Sequence, residues 1–143
     1  MRYFLRFSYD GTAFHGSQRQ PNGITVQETM EQALAMIFRE EVPLTFAGRT
    51  DAGVHAREMY AHFDIGFQMR REGERLVFRL NGILPDSIAI FDIYPATDDA
   101  HARFSAVRRT YEYHVVDHKD PFLCQQATRV RPGLGFAAMN EAA

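Results

Sequence analysis

The residues with the clearest capacity for chemistry are Arg49 and Asp51, which lie two positions apart in a segment bounded by Gly48 and Gly53. Residues 44–46, just before them, alternate between apolar and polar side chains as in a short strand. The pattern therefore predicts a strand followed by a tight loop that carries a guanidinium beside a carboxylate. Such a pair is a common way to keep one carboxylate ionised and directed at a substrate.

A structural role for Asp51 is the alternative. An Asp next to Gly is most often a turn residue, because its side chain bonds nearby backbone and Gly tolerates positive φ. On spacing alone the turn role is the commoner one. Other segments of the sequence are needed to distinguish the turn role from the catalytic role.

Length and composition predict one soluble globular domain with an ordinary core. The chain has 143 residues, 45% of them hydrophobic and 24% charged. No apolar run reaches membrane-spanning length and no signal-peptide pattern opens the chain, so neither a membrane nor an export route is expected. Cys124 is the only cysteine, which excludes an intrachain disulfide and fits a reducing cytoplasm.

The charge balance gives no general signal for nucleic acid, since the net charge is −2. Among the 16 basic residues, however, Lys119 is the only lysine. Arginine suits phosphates and base edges, although a bias of genome composition explains the count equally well. The sequence places Arg103 and Arg109 close to Tyr111 and Tyr113, so a local basic groove can exist on a neutral protein.

Histidine is frequent enough to raise the question of a metal site, but the spacing argues against one. No histidine pair has the H-E-x-x-H pattern and none stands near a cysteine pair. We therefore predict no metal.

The hydrophobic periodicity predicts an α+β fold. Residues 3–8 alternate as a strand, and Thr25 and Glu28 stand at capping-box spacing before an apolar helical stripe. The further expected elements are strands at 44–47, 59–65 and 88–94, a helix over 70–81 that closes at Gly82, extended segments at 103–106 and 110–116, and the beginning of a helix at 135–143. The order β-α-β-β-α-β plus an extra strand predicts a ferredoxin-like antiparallel sheet with two helices packed on one face.

Several segments resemble one family in the same order along the chain. Ala47–Ala56 closely resembles the catalytic segment of the A-type tRNA pseudouridine synthases, and the other segments agree with that family. They are Tyr9–Gly16 with Gln18, Gln20, Pro21 and Thr25–Glu28, then Leu84–Pro85, then His101–Ala106, then Arg109–Tyr113. Ordered segments of this kind are far more specific than any one of them alone.

The resemblance implies an isomerase that converts uridine to pseudouridine in the anticodon stem-loop, at tRNA positions 38–40. It implies that Asp51 is the nucleophile and that Arg49 either positions the carboxylate, anchors a phosphate or braces the loop. Tyr111 corresponds to the family's active-site tyrosine, Arg103 and Arg109 belong to its arginine and tyrosine segment, and His55 borders the catalytic loop. No metal or organic cofactor is implied. The implied partners are tRNA and a second copy of the chain in a homodimer.

The sequence departs from the family pattern at Ser17, where family members usually carry Trp. It also matches only the first of the family's two similar halves. We therefore expect residues 1–122 to form the pseudouridine synthase domain and 123–143 to be a linker and the start of the second half. A fragment of this kind is expected to expose an apolar face.

Two other functions compete with the isomerase. A ferredoxin-like sheet that binds RNA without catalysis is one, because half of the cleft is expected to be absent. An aspartyl phosphotransferase that uses Asp51 is the other, but it needs an acidic pair for Mg²⁺ and the loop carries no second acid.

Overall fold

A computed structural model describes residues 1–69 and 73–142. The chain divides into two compact units, Met1–Val107 and Arg108–Ala143. The expected boundary at residue 122 stays a prediction.

The first unit is a four-stranded antiparallel sheet in the order β2-β3-β1-β4. Its strands are β1 (Arg2–Tyr9), β2 (Thr45–Phe46), β3 (Ala56–Asp64) and β4 (Ile88–Ala96), and its helices are α1 (Val26–Phe38) and α2 (Gly73–Ile83). The helices follow β1 and β3 along the chain, so the unit has the β-α-β-β-α-β order of a ferredoxin-like fold. The predicted fold class is confirmed.

The central strand β1 shows why these residues form this sheet. Tyr3, Leu5, Phe7 and Tyr9 are all buried, while the residues between them are only partly buried. This is the period-2 pattern that places every second side chain on the same face. The buried residues join those of α1 and α2 in one hydrophobic cluster, so the helices cover that face of the sheet.

Helix α1 begins where the capping signal predicted. Thr25 has an extended backbone, and its hydroxyl accepts the Glu28 N–H at 3.3 Å. The buried side chains of α1 are Val26, Met30, Ala33 and Leu34. The stripe is therefore core, as its spacing indicated. The helix ends at Phe38, and its C-cap residue Arg39 has a left-handed backbone with φ 61°.

Helix α2 runs one residue beyond the predicted closing point at Gly82. The Leu84 N–H donates to the Leu80 carbonyl at 2.8 Å, so the last turn is satisfied inside the chain. The predicted start at Arg70 lies outside the described residues. No helix in the described ranges is both long enough and apolar enough to span a membrane.

Of the two extended segments predicted after β4, the one at 103–106 is wrong and the one at 110–116 is confirmed only at its end. Residues 102–104 form a turn, because the His101 ring accepts the N–H groups of Arg103 and Phe104 and the Ser105 N–H donates to the His101 carbonyl. Of residues 110–116, only Val115–Val116 forms a strand.

The second unit contains a short strand pair and one short helix. Strand β5 (Val115–Val116) lies parallel to β6 (Thr128–Arg129), so the extra strand predicted for the main sheet pairs elsewhere. Helix α3 spans Phe136–Ala142, in the region where a helix was predicted to begin.

Candidate functional site

Three of the motif-bearing segments meet at one end of the sheet. Tyr9, the last residue of β1, pairs with Ala56 at the start of β3 and with Ile88 at the start of β4. The Asp10 N–H also donates to the Ser87 carbonyl at 2.8 Å. The antiparallel topology therefore brings together the first loop (residues 10–24), the Asp51 loop (residues 47–55) and the Leu84–Pro85 turn.

The Asp51 loop is a tight turn with a defined backbone. The Val54 N–H donates to the Asp51 carbonyl at 3.2 Å, which closes a four-residue turn. Gly53 is the third residue of that turn and has φ 78°, a conformation that turns of this kind usually reserve for glycine. Asp51 therefore begins a turn, as the structural interpretation expected, but its backbone carbonyl makes the bond and its carboxylate is not used for it.

The first loop holds the Asp51 loop through hydrogen bonds on both sides of Asp51. Ser17 donates its N–H to the Thr50 carbonyl at 3.0 Å and accepts the Thr50 N–H on its hydroxyl at 2.8 Å. The Tyr9 hydroxyl and the Thr50 hydroxyl are 2.8 Å apart. The Gly53 N–H donates to the Phe14 carbonyl at 3.4 Å. The backbone flanking Asp51 is thus fixed by residues more than thirty positions earlier.

His55 closes the far end of the Asp51 loop against the first loop. Its Nδ1 lies 3.2 Å from the Gly11 N and 3.0 Å from a carboxylate oxygen of Asp10. This nitrogen can bond only one of the two partners at a time. Without a proton it accepts the Gly11 N–H, and with a proton it donates to Asp10. Thr12 donates both its hydroxyl and its N–H to Asp10, and these bonds hold the pKa of that carboxyl below its usual value.

Arg49 and Asp51 are both exposed on the loop surface. Over residues 1–69 and 73–142, no ion pair joins the two side chains. The carboxylate is therefore presented to solvent on a fixed backbone instead of being used to brace the loop. That arrangement leaves its oxygens available to a ligand.

Arg103 lies on a turn that is anchored to the sheet at a different place. Arg2 donates to the carbonyls of Asp98 and Ala100 at 2.9 Å, and the Ala102 N–H donates to Nδ1 of His62 at 3.1 Å. Neither of these anchors belongs to the Asp51 loop. The sheet thus gives Arg103 a separate, defined support.

His62 makes the Arg103 turn sensitive to acid. The ring is 5% exposed, and burial is the main reason that its pKa is lowered from 6.5; Arg2 and His101 lower it further, and Asp64 opposes them. Because the folded pKa is the lower one, the unfolded chain binds more protons as the pH falls. This stabilising contribution is complete above pH 6.5 and is lost as the pH falls through the folded pKa.

We therefore predict that the free energy of unfolding decreases between pH 7.5 and pH 5 and that His62→Asn reduces this slope. The Asn amide oxygen keeps an acceptor for the Ala102 N–H but does not titrate. Urea unfolding of both proteins at each pH measures the difference. Equal slopes in the two proteins would contradict the role given to His62.

Tyr111 and Arg109 belong to the second unit, in a stretch without regular secondary structure. The side chain of Tyr111 is exposed, as is that of Tyr113. Residues 110–114, which include both tyrosines, do not form a strand within the extended segment predicted at 110–116.

Sequence reasoning missed the residues that hold the Asp51 loop. The sequence places Tyr9 and Asp10 in a matching segment, Ser17 at a departure from it and Thr50 in the loop. It predicts no contact between the first loop and Thr50. Ser17 carried a usable signal, because it departs from the family pattern at one position of an otherwise matching segment. Within the described residues, no group of three or more His, Cys, Asp or Glu side chains is placed to hold a metal ion.

The sequence that forms this sheet and these two loops matches a known family. The family model for tRNA pseudouridine synthase matches residues 6–105, which include both the first loop and the Asp51 loop. The chain belongs to the tRNA pseudouridine synthase family.

The individual relatives carry a more specific name. Proteins named tRNA pseudouridine synthase A from Parabacteroides distasonis and Porphyromonas gingivalis are 49% and 46% identical to this chain over 144 and 142 residues. A protein of the same name from Bacteroides fragilis is 46% identical over 147 residues. Each alignment covers 99% of this chain and 56% of the relative, so the chain spans about half the length of the curated relatives it matches. The predicted resemblance is confirmed.

Proposed function

We propose that this chain carries the catalytic segment of a tRNA pseudouridine synthase that isomerises uridine at tRNA positions 38–40, with Asp51 as the nucleophile. The observation that carries the proposal is an exposed carboxylate with no internal ion-pair partner among the described residues, on a loop whose backbone is fixed on both sides. Family membership and the name shared by the relatives support the reaction class.

The reaction breaks the bond between ribose C1′ and uracil N1 and rejoins the base through C5, with loss of the C5 proton. Attack by the Asp51 carboxylate on uracil C6 or on ribose C1′ forms a covalent intermediate, and its breakdown returns the carboxylate. The C5 proton is lost to solvent and N1 takes up a proton, so product and substrate are isomers. A fixed loop backbone lowers the entropic cost of bringing the carboxylate to the base.

The family resemblance supplies roles for the other predicted site residues. Arg49 lies beside Asp51 on the exposed loop, where it can bind a backbone phosphate and guide the carboxylate. Arg103 and Arg109 extend the phosphate contacts, and Tyr111 stacks on the extruded uracil and assists removal of the C5 proton. Extrusion of the base costs a few kcal/mol, which phosphate contacts offset.

Two further properties belong to the same proposal. The protein acts in the cytoplasm, where its single cysteine stays reduced. It acts as a homodimer with one tRNA contacting both copies. The experiment below does not depend on either property.

The direct test is tritium release from tRNA that carries the label at uracil C5. Isomerisation exchanges the C5 proton with water, so we expect release with this chain and none with buffer. A matched tRNA with cytidine at positions 38–40 is expected to release no tritium. Absence of release from the first tRNA, with retained tRNA binding, would contradict the isomerase. Equal release from both tRNAs would contradict the assigned positions.

A further inference from the structure

Ser17 makes contacts that reach the residue next to Asp51. The side chain is completely buried, and its hydroxyl and N–H engage the N–H and the carbonyl of Thr50 at 2.8 Å and 3.0 Å. One residue therefore satisfies both backbone groups of Thr50. A two-point attachment of this kind prevents the peptide groups around Thr50 from rotating, and Asp51 follows directly in the chain.

Ser17 is itself fixed by the beginning of helix α1. The first N–H groups of a helix have no partner inside the helix. Here the Val26 N–H donates to the Gly16 carbonyl at 3.3 Å and the Gln27 N–H donates to the Ser17 carbonyl at 2.9 Å. The first turn of α1 therefore holds the backbone of Ser17 in position, and Ser17 in turn holds the backbone of Thr50.

The space around this contact leaves little freedom. A Cβ on Gly16 would lie 2.9 Å from the Thr50 carbonyl oxygen, so the two backbones are already in close contact. The Tyr9 hydroxyl contacts the Thr50 side chain as a third point of attachment. Of these groups, only the Ser17 hydroxyl is a side-chain acceptor for the Thr50 N–H.

We propose that Ser17 is a positioning residue that fixes the backbone from which Asp51 is presented. It acts through Thr50 and does not contact substrate itself. The consequence for turnover rests on the proposed function of Asp51, whereas the consequence for the loop backbone does not.

The test compares Ser17→Ala with Asn81→Ala as a matched control. The Asn81 side chain also holds both backbone groups of one residue: it donates to the Ile90 carbonyl at 2.9 Å and accepts the Ile90 N–H at 2.8 Å. That contact joins α2 to β4 and lies outside the Asp51 loop. Both variants lose side-chain bonds that anchor a backbone, but only Ser17→Ala removes the acceptor of the Thr50 N–H, while the Ser17 N–H keeps its bond to the Thr50 carbonyl.

Two readouts are taken under conditions where both variants are folded. Hydrogen exchange followed by NMR is expected to accelerate at the Thr50 amide in Ser17→Ala and to stay at the parent rate there in Asn81→Ala. In tritium release, Ser17→Ala is expected to lower kcat by on the order of 10²-fold with little change in KM, because a displaced catalytic group loses rate more than binding. Asn81→Ala is expected to keep the parent kcat.

The readouts separate two kinds of failure. Unchanged exchange at Thr50 in Ser17→Ala would overturn the positioning role, whatever the activity. Faster exchange with the parent kcat would also overturn it, because the loop would then not need Ser17. An inactive parent chain would contradict the proposed function instead, and the exchange rates would still decide whether Ser17 fixes the loop.

Discussion

Asp51→Asn is expected to lower tritium release from C5-labelled tRNA by on the order of 10⁴-fold or more, since removal of a nucleophile has effects of this size in enzymes that form covalent intermediates. Asn has nearly the same shape as Asp, but its neutral amide does not attack carbon at a useful rate. The Asp51 carboxylate makes no ion pair with other described residues, so its replacement disturbs no internal contact. The Val54 N–H bonds the backbone carbonyl of residue 51, which the substitution keeps.

The affinity of Asp51→Asn for tRNA is expected to be equal to that of the parent chain or slightly higher. The variant loses one negative charge, which reduces repulsion of phosphates. Asp92→Asn is the matched control, because Asp92 is an exposed carboxylate of β4 that is paired with Arg6. It loses the same charge and only a surface ion pair, which contributes little to stability. It is therefore expected to keep full turnover.

Two measurements decide the role of Asp51. Tritium release gives turnover, and a filter-binding titration at fixed salt gives the affinity of each variant for tRNA. Retained turnover in Asp51→Asn would contradict the nucleophile. An equal loss of turnover and affinity would make Asp51 a binding or structural residue, which is the turn role that its glycine-flanked position also allows.

Local patterns explain how much of the fold was predictable. The alternation in β1, the capping signal at Thr25 and the stripe of α1 each depend on residues a few positions apart, and all three appear in the structure as expected. Four strands and two helices in β-α-β-β-α-β order can form only a few sheet topologies, because connections are short and crossovers between parallel strands are right-handed. The ferredoxin-like arrangement therefore follows from sequence-local signals.

The prediction of an extended segment at 103–106 was wrong, because the structure there depends on side-chain hydrogen-bond acceptors and not on hydrophobic periodicity. The His101 ring accepts two N–H groups of its own turn, and the Ala102 N–H donates to the ring of His62 in β3. An apolar-polar alternation in 103–106 gives no hint of these bonds. Residues that bind neighbouring backbone groups compete with strand formation, as the turn around Arg103 illustrates.

In the candidate site, too, the residues that are close in sequence were predicted and the contacts between distant residues were not. Arg49, Asp51 and His55 were found together because they share one loop in sequence. The bonds of Ser17 and Tyr9 to Thr50 join positions 33 and 41 residues apart, and no local pattern encodes them. The sequence therefore predicts which carboxylate is the candidate nucleophile, and the structure shows which residues hold the backbone beside it.

Gly11→Ala is expected to have the second-largest effect on activity, because Gly11 lies against the backbone of the Asp51 loop. A Cβ at this position would lie 2.7 Å from the Val54 carbonyl carbon and closer still to its oxygen. Backbone atoms do not move aside as the end of a flexible side chain does, so one of the two loops has to shift. A shift of about 1 Å in a catalytic group can cost on the order of 10²-fold in rate.

Stability is expected to fall as well, by about 1–3 kcal/mol, as is typical of overpacked interiors. The same shift displaces the Gly11 N–H from Nδ1 of His55. Gly66→Ala is the matched control, since apart from its chain neighbours no atom of the described residues lies within 4 Å of its added Cβ. Gly66 stands at the opposite end of β3 from the Asp51 loop. It is expected to keep both the parent turnover and the parent stability.

Urea unfolding and tritium release on the two alanine variants separate stability from positioning. In the folded protein at low temperature, Gly11→Ala is expected to bind tRNA but turn it over slowly, whereas Gly66→Ala matches the parent in both. Parent-like turnover of folded Gly11→Ala would mean that the close approach of Gly11 to Val54 does not set the position of Asp51. This substitution therefore tests whether the contact between the two loops at Val54 matters for catalysis, independently of the Ser17 contacts to Thr50.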